Sequence, residues 1–337
     1  MRALVIGGTR NLGPSIVQAL LKHGYEVSVF NRGQTADDLP SQVLRLRGDR
    51  GVPAQLAAAL GEKSFDLVVD TTLYTGREAL AALAQFSDRV GRYIFLSTGQ
   101  VYLVRTGVNR PFREEHYHGS LMARPPESQV DDIRNWLYGI EKREVEDAMA
   151  LSWKNSRFPF TSLRLPMVNS ERDHYDRIYG YFLRLNDGGP ILVPAEPGLP
   201  LRHVYGADVV EGIVRLAGGD LGTGEAYNIG QDEAVTLEEF LRMLARFAGR
   251  PLELVHVPRA TLSRAELLPD CSPFSGLWMS ALDNSRSKRE LGMEYTRLEV
   301  YLQKLVSFFE SGPRREIPGY RRRQEELEMA RNLDLCH

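Results

Sequence analysis

Hydrophobic positions follow two alternating spacings along the first hundred residues. Short, nearly continuous apolar runs are typical of strands buried on both faces of a parallel sheet. These runs cover residues 3–6, 25–30, 43–46, 65–70 and 93–97. Between them, apolar residues recur every three or four positions, which predicts helices after residue 13, over 53–60 and over 77–86. The links are short and carry no hairpin signals, so the pattern predicts an α/β fold of the Rossmann type, with a doubly wound parallel sheet.

The second half of the chain alternates in the same way. Apolar spacing predicts helices over 172–185, 237–247 and 298–309, a strand over 252–256 and a charged helical tail over 321–332. Thr236 and Glu239 have the spacing of a capping box at the start of the second of these helices. In the tail, three consecutive arginines from residue 321 precede glutamates at 325, 326 and 328, so opposite charges can pair along the helix. We expect the tail to be a solvated face or a subunit contact.

A glycine-rich turn joins the first strand to the first helix. Its sequence is Gly7-Gly8-Thr9-Arg10-Asn11-Leu12-Gly13. Gly7 allows a sharp turn, the bare backbone at Gly8 allows a pyrophosphate to approach, and Gly13 allows close packing of helix on sheet. Pro14 is tolerated in the first helical turn because no intrahelical partner is needed there. The turn predicts a dinucleotide site, with the diphosphate at the positive end of the helix.

The end of the second strand indicates which dinucleotide binds. An NAD site usually carries an acidic residue there, but this chain has Asn31 followed by Arg32, and Arg10 lies in the glycine turn. Arginine suits the 2′-phosphate of NADP. We therefore predict NADP(H) as the preferred cofactor, with NAD(H) possible and solvated surface arginines as the alternative. Further polar residues at the carboxyl ends of strands fall on the same side of the sheet, namely Asp49, Thr71, Thr72 and Thr98.

A tyrosine and a lysine four residues apart are the candidate catalytic pair. Tyr138 and Lys142 share one face of a predicted helix. A nearby ammonium favours a phenolate, so we expect Lys142 to lower the pKa of Tyr138 and make it an acid or base for a hydroxyl or carbonyl group. Thr98 is expected to hydrogen-bond the same substrate oxygen. The alternative, a purely structural pair on an ordinary helix, is disfavoured by the dinucleotide turn upstream.

These motifs occur in a recognisable order. They are GGTRNLG at 7–13, STGQVY at 97–102, YGIEK at 138–142, LRLP at 163–166, YNIG at 227–230, DNSR at 283–286 and ELG at 290–292. In this order they resemble the extended short-chain dehydrogenase/reductase superfamily, which includes the NAD(P)-dependent epimerases and dehydratases. The segment FNRG, with Gly188-Gly189-Pro190, resembles a branch related to chloroplast stem-loop RNA-binding proteins.

The resemblance implies roles for the matching residues. Tyr138 would be the catalytic acid or base, Lys142 would hold the nicotinamide ribose, and Thr98 would be the hydroxyl partner. Asp49 would lie near the adenine, and the backbone from Leu165 to Met167 would lie near the nicotinamide. The implied activity is hydride transfer at a hydroxyl or carbonyl carbon of a sugar-like or natural-product small molecule.

The resemblance also implies the organisation of the chain. Residues 1–165 would form the NADP-binding Rossmann domain, to which 201–230 return, and 166–337 would form mainly a smaller α/β substrate-binding domain. It further implies a homodimer packed through the helices near 77–86 and 138–150. The alternative function is that of a non-catalytic relative that senses NADP(H) or binds RNA.

Three features depart from the resemblance. The segment 104–136 is long and has little periodicity, and we interpret it as either a lid over the substrate pocket or a mobile surface insert. Leu201 stands where nucleotide-sugar enzymes of the superfamily carry an arginine for the diphosphate, with Arg202 beside it. His116 and His118 lack a recognisable third ligand, so we expect no metal site.

Composition excludes several other classes of protein. The net charge of −2 gives no electrostatic reason to expect nucleic acid as a partner, and no apolar run approaches the roughly 20 residues that span a bilayer. The N-terminus leads directly into a strand, so we expect no signal peptide. Cys271 and Cys336 match no metal or redox spacing. We therefore expect a cytoplasmic protein.

Overall fold

The computed structural model describes residues 1–219 and 221–334. The strands are β1 (Arg2–Ile6), β2 (Glu26–Asn31), β3 (Leu44–Arg47), β4 (Phe65–Asp70), β5 (Val90–Thr98), β6 (Phe160–Leu165), β7 (Val168–Asn169), β8 (Ile191–Pro194), β9 (Val204–Tyr205), β10 (Glu225–Asn228) and β11 (Leu254–Val257). The helices are α1 (Gly13–Lys22), α2 (Pro53–Leu60), α3 (Gly76–Phe86), α4 (Gln100–Leu103), α5 (Val130–Ser156), α6 (Arg177–Asp187), α7 (Gly206–Leu216), α8 (Leu237–Phe247), α9 (Arg259–Arg264), α10 (Ser285–Leu291), α11 (Leu298–Ser311) and α12 (Arg323–Asp334). Short 3-10 helices cover Glu114–Tyr117 and Pro318–Tyr320.

Seven of the described strands form one parallel sheet in the order β10-β6-β5-β4-β1-β2-β3. Successive side chains of β1 enter different cores: Ala3 and Val5 pack with α1 and α7, whereas Leu4 and Ile6 pack against α2, α3 and α5. A strand covered on both faces needs apolar residues at every position, which is why its sequence is a continuous apolar run. The predicted doubly wound Rossmann-type fold is confirmed.

The second half of the chain builds a separate layer next to this sheet. Parallel pairs β8–β11 and β7–β9 lie outside the main sheet. A second core gathers α6, α8 and α11, with Phe240 and Tyr301 fully buried in it. Strand β10 returns to the main sheet, where Tyr227 lies beside Leu163 of β6.

One helix of the second half begins later than the sequence predicts, and another begins where it predicts. The helix predicted from residue 172 begins at Arg177, because Asp176 adopts a left-handed conformation with φ of 51° and residues 172–176 form turns. The capping box of Thr236 and Glu239 is present at the start of α8, as predicted.

The charged tail is only partly a solvated face. The pair Arg322–Glu325 is largely exposed, as expected for such a helix. Arg184 of α6, however, donates two hydrogen bonds to the carboxylate of Glu326, and both side chains are fully buried. Helix α12 therefore packs into the C-terminal layer through a charged pair, a contact that the alternating charges of the tail did not reveal.

Two further observations concern membrane and cysteine chemistry. Within the described residues, no helix combines the length and the apolar character that crossing a membrane requires. Cys271 is a buried free thiol, and burial raises its pKa. Cys336 lies outside the described residues.

Candidate active site

The glycine turn needs its glycines for two different reasons. Gly7 and Gly8 have φ of 99° and 77°, in the region that side chains avoid. A Cβ on Gly7 would lie 2.1 Å from Oγ1 of Thr71, and one on Gly13 would lie 2.4 Å from the backbone of Gly8. Thr71 is itself fixed, since its hydroxyl donates to the carbonyl oxygen of Ile6 at 2.9 Å. The turn is therefore held tightly against the end of β4.

A cleft of about 620 Å³ opens at the carboxyl ends of β1, β2 and β4. It is lined by eleven of the predicted cofactor residues, namely Gly7, Thr9, Arg10, Asn11, Leu12, Gly13, Asn31, Arg32, Asp49, Thr71 and Thr72. Such a volume suits a dinucleotide-sized ligand. Leu165 and Met167 lie outside this lining: the carbonyl oxygen of Leu165 accepts the N–H of Gly99, and that of Met167 accepts the N–H of Val204.

Arginines surround the end of the cleft beyond β2. The side-chain oxygen of Asn31 accepts hydrogen bonds from the N–H of Gly33 and from the guanidinium of Arg47. Its amide nitrogen donates to the carbonyl oxygen of Gly7. Arg10, in the glycine turn, donates to the hydroxyl of Thr35 at 3.0 Å. Asn31 thus fixes an arginine where an NAD site has a carboxylate.

Sequence reasoning missed Arg47. It is the residue that the parallel register places opposite Asn31 on the neighbouring strand. Once β2 and β3 are recognised as adjacent parallel strands, that register is the signal that would have found it. Arg45, two residues earlier, pairs with Asp37 at 2.7 Å, and Arg47 approaches the same carboxylate at 3.9 Å.

The predicted catalytic residues lie beside the cleft, next to Tyr74 and Leu96, which line it. Long helix α5 carries Tyr138 and Lys142 one turn apart, and Nζ of Lys142 lies 5.9 Å from the centre of the Tyr138 ring. The side chains of Thr98, at the end of β5, and Tyr138 are hydrogen-bonded. Lys142 is buried behind the cleft wall, where Nζ donates to the carbonyl oxygens of Leu73 at 2.7 Å and of Leu96, a residue of the lining, at 2.9 Å.

The electrostatics of this pair differ from the sequence-based expectation. Burial raises the pKa of the Tyr138 phenol above its ordinary value, the neighbouring Tyr74 raises it further, and the hydrogen bond with Thr98 lowers it. Burial also lowers the pKa of Lys142 to about 8, against the opposing effect of Asp70 and Glu146. The expected lowering of the Tyr138 pKa by Lys142 is therefore wrong for the free protein, because desolvation outweighs the attraction of a cation bound mainly by backbone carbonyls.

A buried ionic network lies beneath the catalytic residues. Arg164 of β6 binds the carboxylate of Glu146 on α5, and the hydroxyl of Ser97 donates to the same carboxylate at 2.5 Å. Arg164 also donates to the hydroxyl of Tyr102 at 2.7 Å. All four side chains are buried. The network joins α5 to the ends of β5 and β6, so it fixes the helix that carries Tyr138 and Lys142.

The segment 104–136 belongs in part to this core. Phe112 and Tyr117 are buried, and the Tyr117 hydroxyl donates to Asp147 of α5 at 2.7 Å. Residues 130–136 form the first turns of α5. The centre of the segment is therefore neither a mobile insert nor a lid, because its aromatic side chains pack against the ionic network. His116 accepts a hydrogen bond from the N–H of Arg113, and no cluster of metal-ligating side chains occurs in the described part of the chain.

A second segment, residues 170–176, crosses the cofactor cleft from the C-terminal layer. The Ser170 hydroxyl donates to Asn11 in the glycine turn at 3.1 Å. Arg172 pairs with Asp38, beyond β2, through hydrogen bonds of 2.6 and 3.1 Å. His174 and Tyr175 line the cleft. We call this segment the strap, because it contacts both sides of the cleft.

Leu201, which the resemblance places where a diphosphate-binding arginine would stand, is a core residue. Leu201 is buried and pairs with Val235 through a two-residue bridge. The neighbouring Arg202 donates to the carbonyl oxygen of Gln231 at 2.9 Å and to Asn284 at 3.4 Å. Arg202 is therefore engaged by residues of the second half of the chain.

Comparison with known proteins agrees with this geometry. A model of the NAD dependent epimerase/dehydratase family matches residues 3–230, more than half of the chain. The chain belongs to this family. The matched part of the chain includes the glycine turn, Thr98, Tyr138 and Lys142. It ends just after β10, the last strand that the chain adds to the main sheet.

Individual relatives of the chain are distant in sequence. The chain is 25% identical to the chloroplast stem-loop binding protein of 41 kDa b of Arabidopsis thaliana over 272 residues, 76% of this chain and 65% of that protein. It is 25% identical to the 2'-dehydrokanamycin reductase of Streptomyces kanamyceticus over 280 residues, 81% of this chain and 75% of that one. The chain thus spans about two thirds of the length of the Arabidopsis relative.

A solved structure shows the same fold. The UDP-glucose 4-epimerase of Thermotoga maritima, solved with UDP-glucose, superposes with a TM-score of 0.72 at 21% identity, covering 92% of this chain and 99% of the epimerase. At this level of identity the likeness concerns the fold alone.

Proposed function

We propose that the protein is an NADP(H)-dependent oxidoreductase that transfers hydride at a hydroxyl or carbonyl carbon of a sugar-like small molecule. The observation that carries this proposal is the grouping of Thr98, Tyr138 and Lys142 next to residues that line the dinucleotide-sized cleft. The glycine turn would hold the pyrophosphate, and Lys142 would hold the nicotinamide ribose. NADP(H), when bound, supplies the hydride chemistry.

The protonation states of the free protein favour the reductive direction. Because burial raises the pKa of Tyr138, its phenol is protonated at neutral pH, the form that gives a proton to a carbonyl oxygen as this becomes a hydroxyl. The ammonium of Lys142 and the hydroxyl of Thr98 would stabilise the phenolate that remains. The relative named 2'-dehydrokanamycin reductase supports the same direction.

The preference for NADP(H) rests on the arginines around Asn31. Arg10, Asn31 and Arg32 line the cleft, and Arg47 donates a hydrogen bond to the side chain of Asn31. Arginine binds phosphate through a planar fork of donors. No carboxylate stands at the end of β2 to bind the ribose hydroxyls of NAD, since Asn31 ends that strand.

The substrate side supports a substrate without a nucleoside diphosphate. Leu201 is buried in the position where nucleotide-sugar enzymes carry their arginine, and Arg202 is engaged by Gln231 and Asn284. We infer a sugar-like substrate that carries no nucleoside diphosphate. A homodimer through α3 and α5 is part of the proposal, supported by Leu80 and Leu151, exposed on these helices.

Fluorescence titration with NADPH and NADH tests the cofactor proposal. We expect the wild type to bind NADPH more tightly, and Arg32→Ala and Arg47→Ala to lose this preference. Arg246→Ala, which removes an exposed ion pair with Glu299 on α8 and α11, is the matched control and should keep it. If neither nucleotide binds, the enzyme proposal is wrong, and RNA retention that falls steeply with salt would then favour the RNA-binding alternative.

A screen of keto sugars and keto aminoglycosides against NADPH consumption tests the reaction. Tyr138→Phe should abolish turnover while leaving the NADPH dissociation constant unchanged. If Tyr138→Phe still turns over substrate, Tyr138 is not the catalytic acid. Competition by UDP at the substrate site would contradict the inferred substrate class.

A further inference from the structure

Tyr74 lies where the cofactor cleft meets the buried ammonium of Lys142. The centre of the Tyr74 ring is 4.8 Å from Nζ of Lys142, closer than the ring of Tyr138 at 5.9 Å. The preceding residue, Leu73, accepts a hydrogen bond from the same ammonium at 2.7 Å. Two consecutive residues of the connection between β4 and α3 thus contact one cation, the first through its carbonyl oxygen and the second through its ring.

This connection is rigid because it is tied to the start of α3. The carboxylate of Glu78 accepts hydrogen bonds from the N–H of Tyr74 at 2.7 Å and of Thr75 at 3.1 Å. The hydroxyl of Thr75 accepts the N–H of Glu78 in return, which completes a capping box. The backbone of Tyr74 is therefore fixed, while 45% of the residue's surface stays exposed to the cleft that it lines.

A neighbouring aromatic ring matters here because burial works against the charge on Lys142. Desolvation lowers the pKa of Lys142 to about 8, and Arg50 acts in the same direction. Three carboxylates oppose this, Asp70 at the end of β4, Glu146 on α5 and Glu78 on α3. The face of an aromatic ring attracts a cation without adding a further buried charge. Tyr74 also acts on Tyr138, whose pKa it raises.

We propose that Tyr74 is a positioning residue of the reaction centre, whose ring keeps the Lys142 side chain charged and directed towards the dinucleotide cleft. Lys142 in turn holds the ribose and sits beside Tyr138, so Tyr74 acts on the reaction through Lys142. This inference rests on the function proposed above.

Nuclear magnetic resonance of the free protein tests the contact without any cofactor. The chain contains six lysines, so lysine labelled with ¹³C at Cε and ¹⁵N at Nζ gives a simple spectrum, in which Lys142→Met assigns the resonance. We expect Tyr74→Leu to lower the pKa of Lys142 by about half a unit, because the attraction between the cation and the ring is lost. Tyr74→Phe keeps the ring and should keep the wild-type value.

The matched control is Phe308→Leu, which changes an aromatic residue on α11 of nearly equal exposure, 46%. It should leave the Lys142 resonance unchanged. Equal titrations of the wild type and Tyr74→Leu would overturn the proposal, as would an equal shift in Tyr74→Phe and Tyr74→Leu, since the ring would then not be responsible.

The dissociation constant of NADPH as a function of pH separates this inference from the proposed function. At about pH 8 we expect Tyr74→Leu to bind roughly twofold more weakly than the wild type, and at about pH 6.5 nearly equally, because Lys142 is then charged in both. Absence of NADPH binding by the wild type would overturn the proposed function and the role of Tyr74 within it. Tight binding with the same pH profile in both proteins would overturn the role of Tyr74 alone.

Discussion

The ammonium of Lys142 lies one helical turn from Tyr138, yet its hydrogen bonds go to the carbonyl oxygens of Leu73 and Leu96. The lysine is therefore anchored to the connection after β4 and to β5 rather than to the phenol. Lys142 therefore acts on Tyr138 only through its position in the site. Burying its charge lowers the stability of the folded protein.

This cost predicts how stability depends on pH. The pKa of Lys142 is lowered to about 8 in the folded protein, so between about pH 8 and 10.5 the unfolded chain binds more protons. Folding is penalised by the charged lysine below pH 8, and the penalty disappears as pH rises through this window. The free energy of unfolding of the wild type, relative to that of Lys142→Met, should therefore rise by about 1–3 kcal/mol across it.

Urea denaturation of both proteins at about pH 7 and pH 9.5 measures this difference, because other titrating groups cancel between them. A difference that is the same at both pH values would show that Lys142 is not destabilised by burial. The same variant should bind NADPH more weakly at about pH 7, which would make Lys142 a residue kept for binding at the expense of stability.

Asn31→Asp should reverse the cofactor preference. A carboxylate at this position would pair with Arg47 and repel the 2′-phosphate, while offering an acceptor to the ribose hydroxyls of NADH. We expect the NADPH dissociation constant to rise about tenfold or more, and that of NADH to stay equal or fall. Isothermal calorimetry with both nucleotides measures the change. Asn155→Asp, on the exposed end of α5, is the matched control, and an equal loss for both nucleotides would argue against a phosphate site.

The strap should slow the dissociation of the cofactor. Arg172 and Asp38 are 46% and 61% exposed, so water and salt weaken their pair, and we expect Arg172→Ala or Asp38→Ala to raise the NADPH dissociation rate only about two- to fivefold. Stopped-flow displacement measures this rate. The double variant with Asp38→Arg and Arg172→Asp exchanges the two charges and should restore the wild-type rate. If both single variants and the exchanged pair release NADPH as the wild type does, the strap does not retain the cofactor.

The tail helix should contribute more to stability through the buried pair Arg184–Glu326 than through the more exposed pair Arg322–Glu325. Glu326→Ala leaves Arg184 buried and unpaired, so we expect the free energy of unfolding to fall by about 3–5 kcal/mol. The neighbouring residue, Glu325, pairs with Arg322 in a more exposed position. Glu325→Ala removes this pair and should leave the denaturation midpoint unchanged. Equal effects of the two changes in urea denaturation would mean that burial does not distinguish them.

Much of the cofactor site could be predicted because its determinants are local. Gly7, Gly13 and Asn31 contact residues of the adjacent turn and strand ends. The order of strand, turn and helix along the chain is enough to place them in the cleft. Arg47 was missed because its role depends on the register between β2 and β3, which the sequence of either strand does not state. The direction of the Tyr138 pKa was missed for a related reason, since helical spacing predicts the neighbour but not the loss of water around it.

The sequence by itself determined the alternating α/β pattern, the glycine turn and the spacing of Tyr138 and Lys142, since each depends on residues close together along the chain. Only the tertiary structure decided that Phe112 and Tyr117 belong to the core, that Glu326 is buried against Arg184, and that Tyr74 contacts Lys142. These contacts join residues far apart in sequence, and their energies depend on how much water each charge or ring loses when the chain folds.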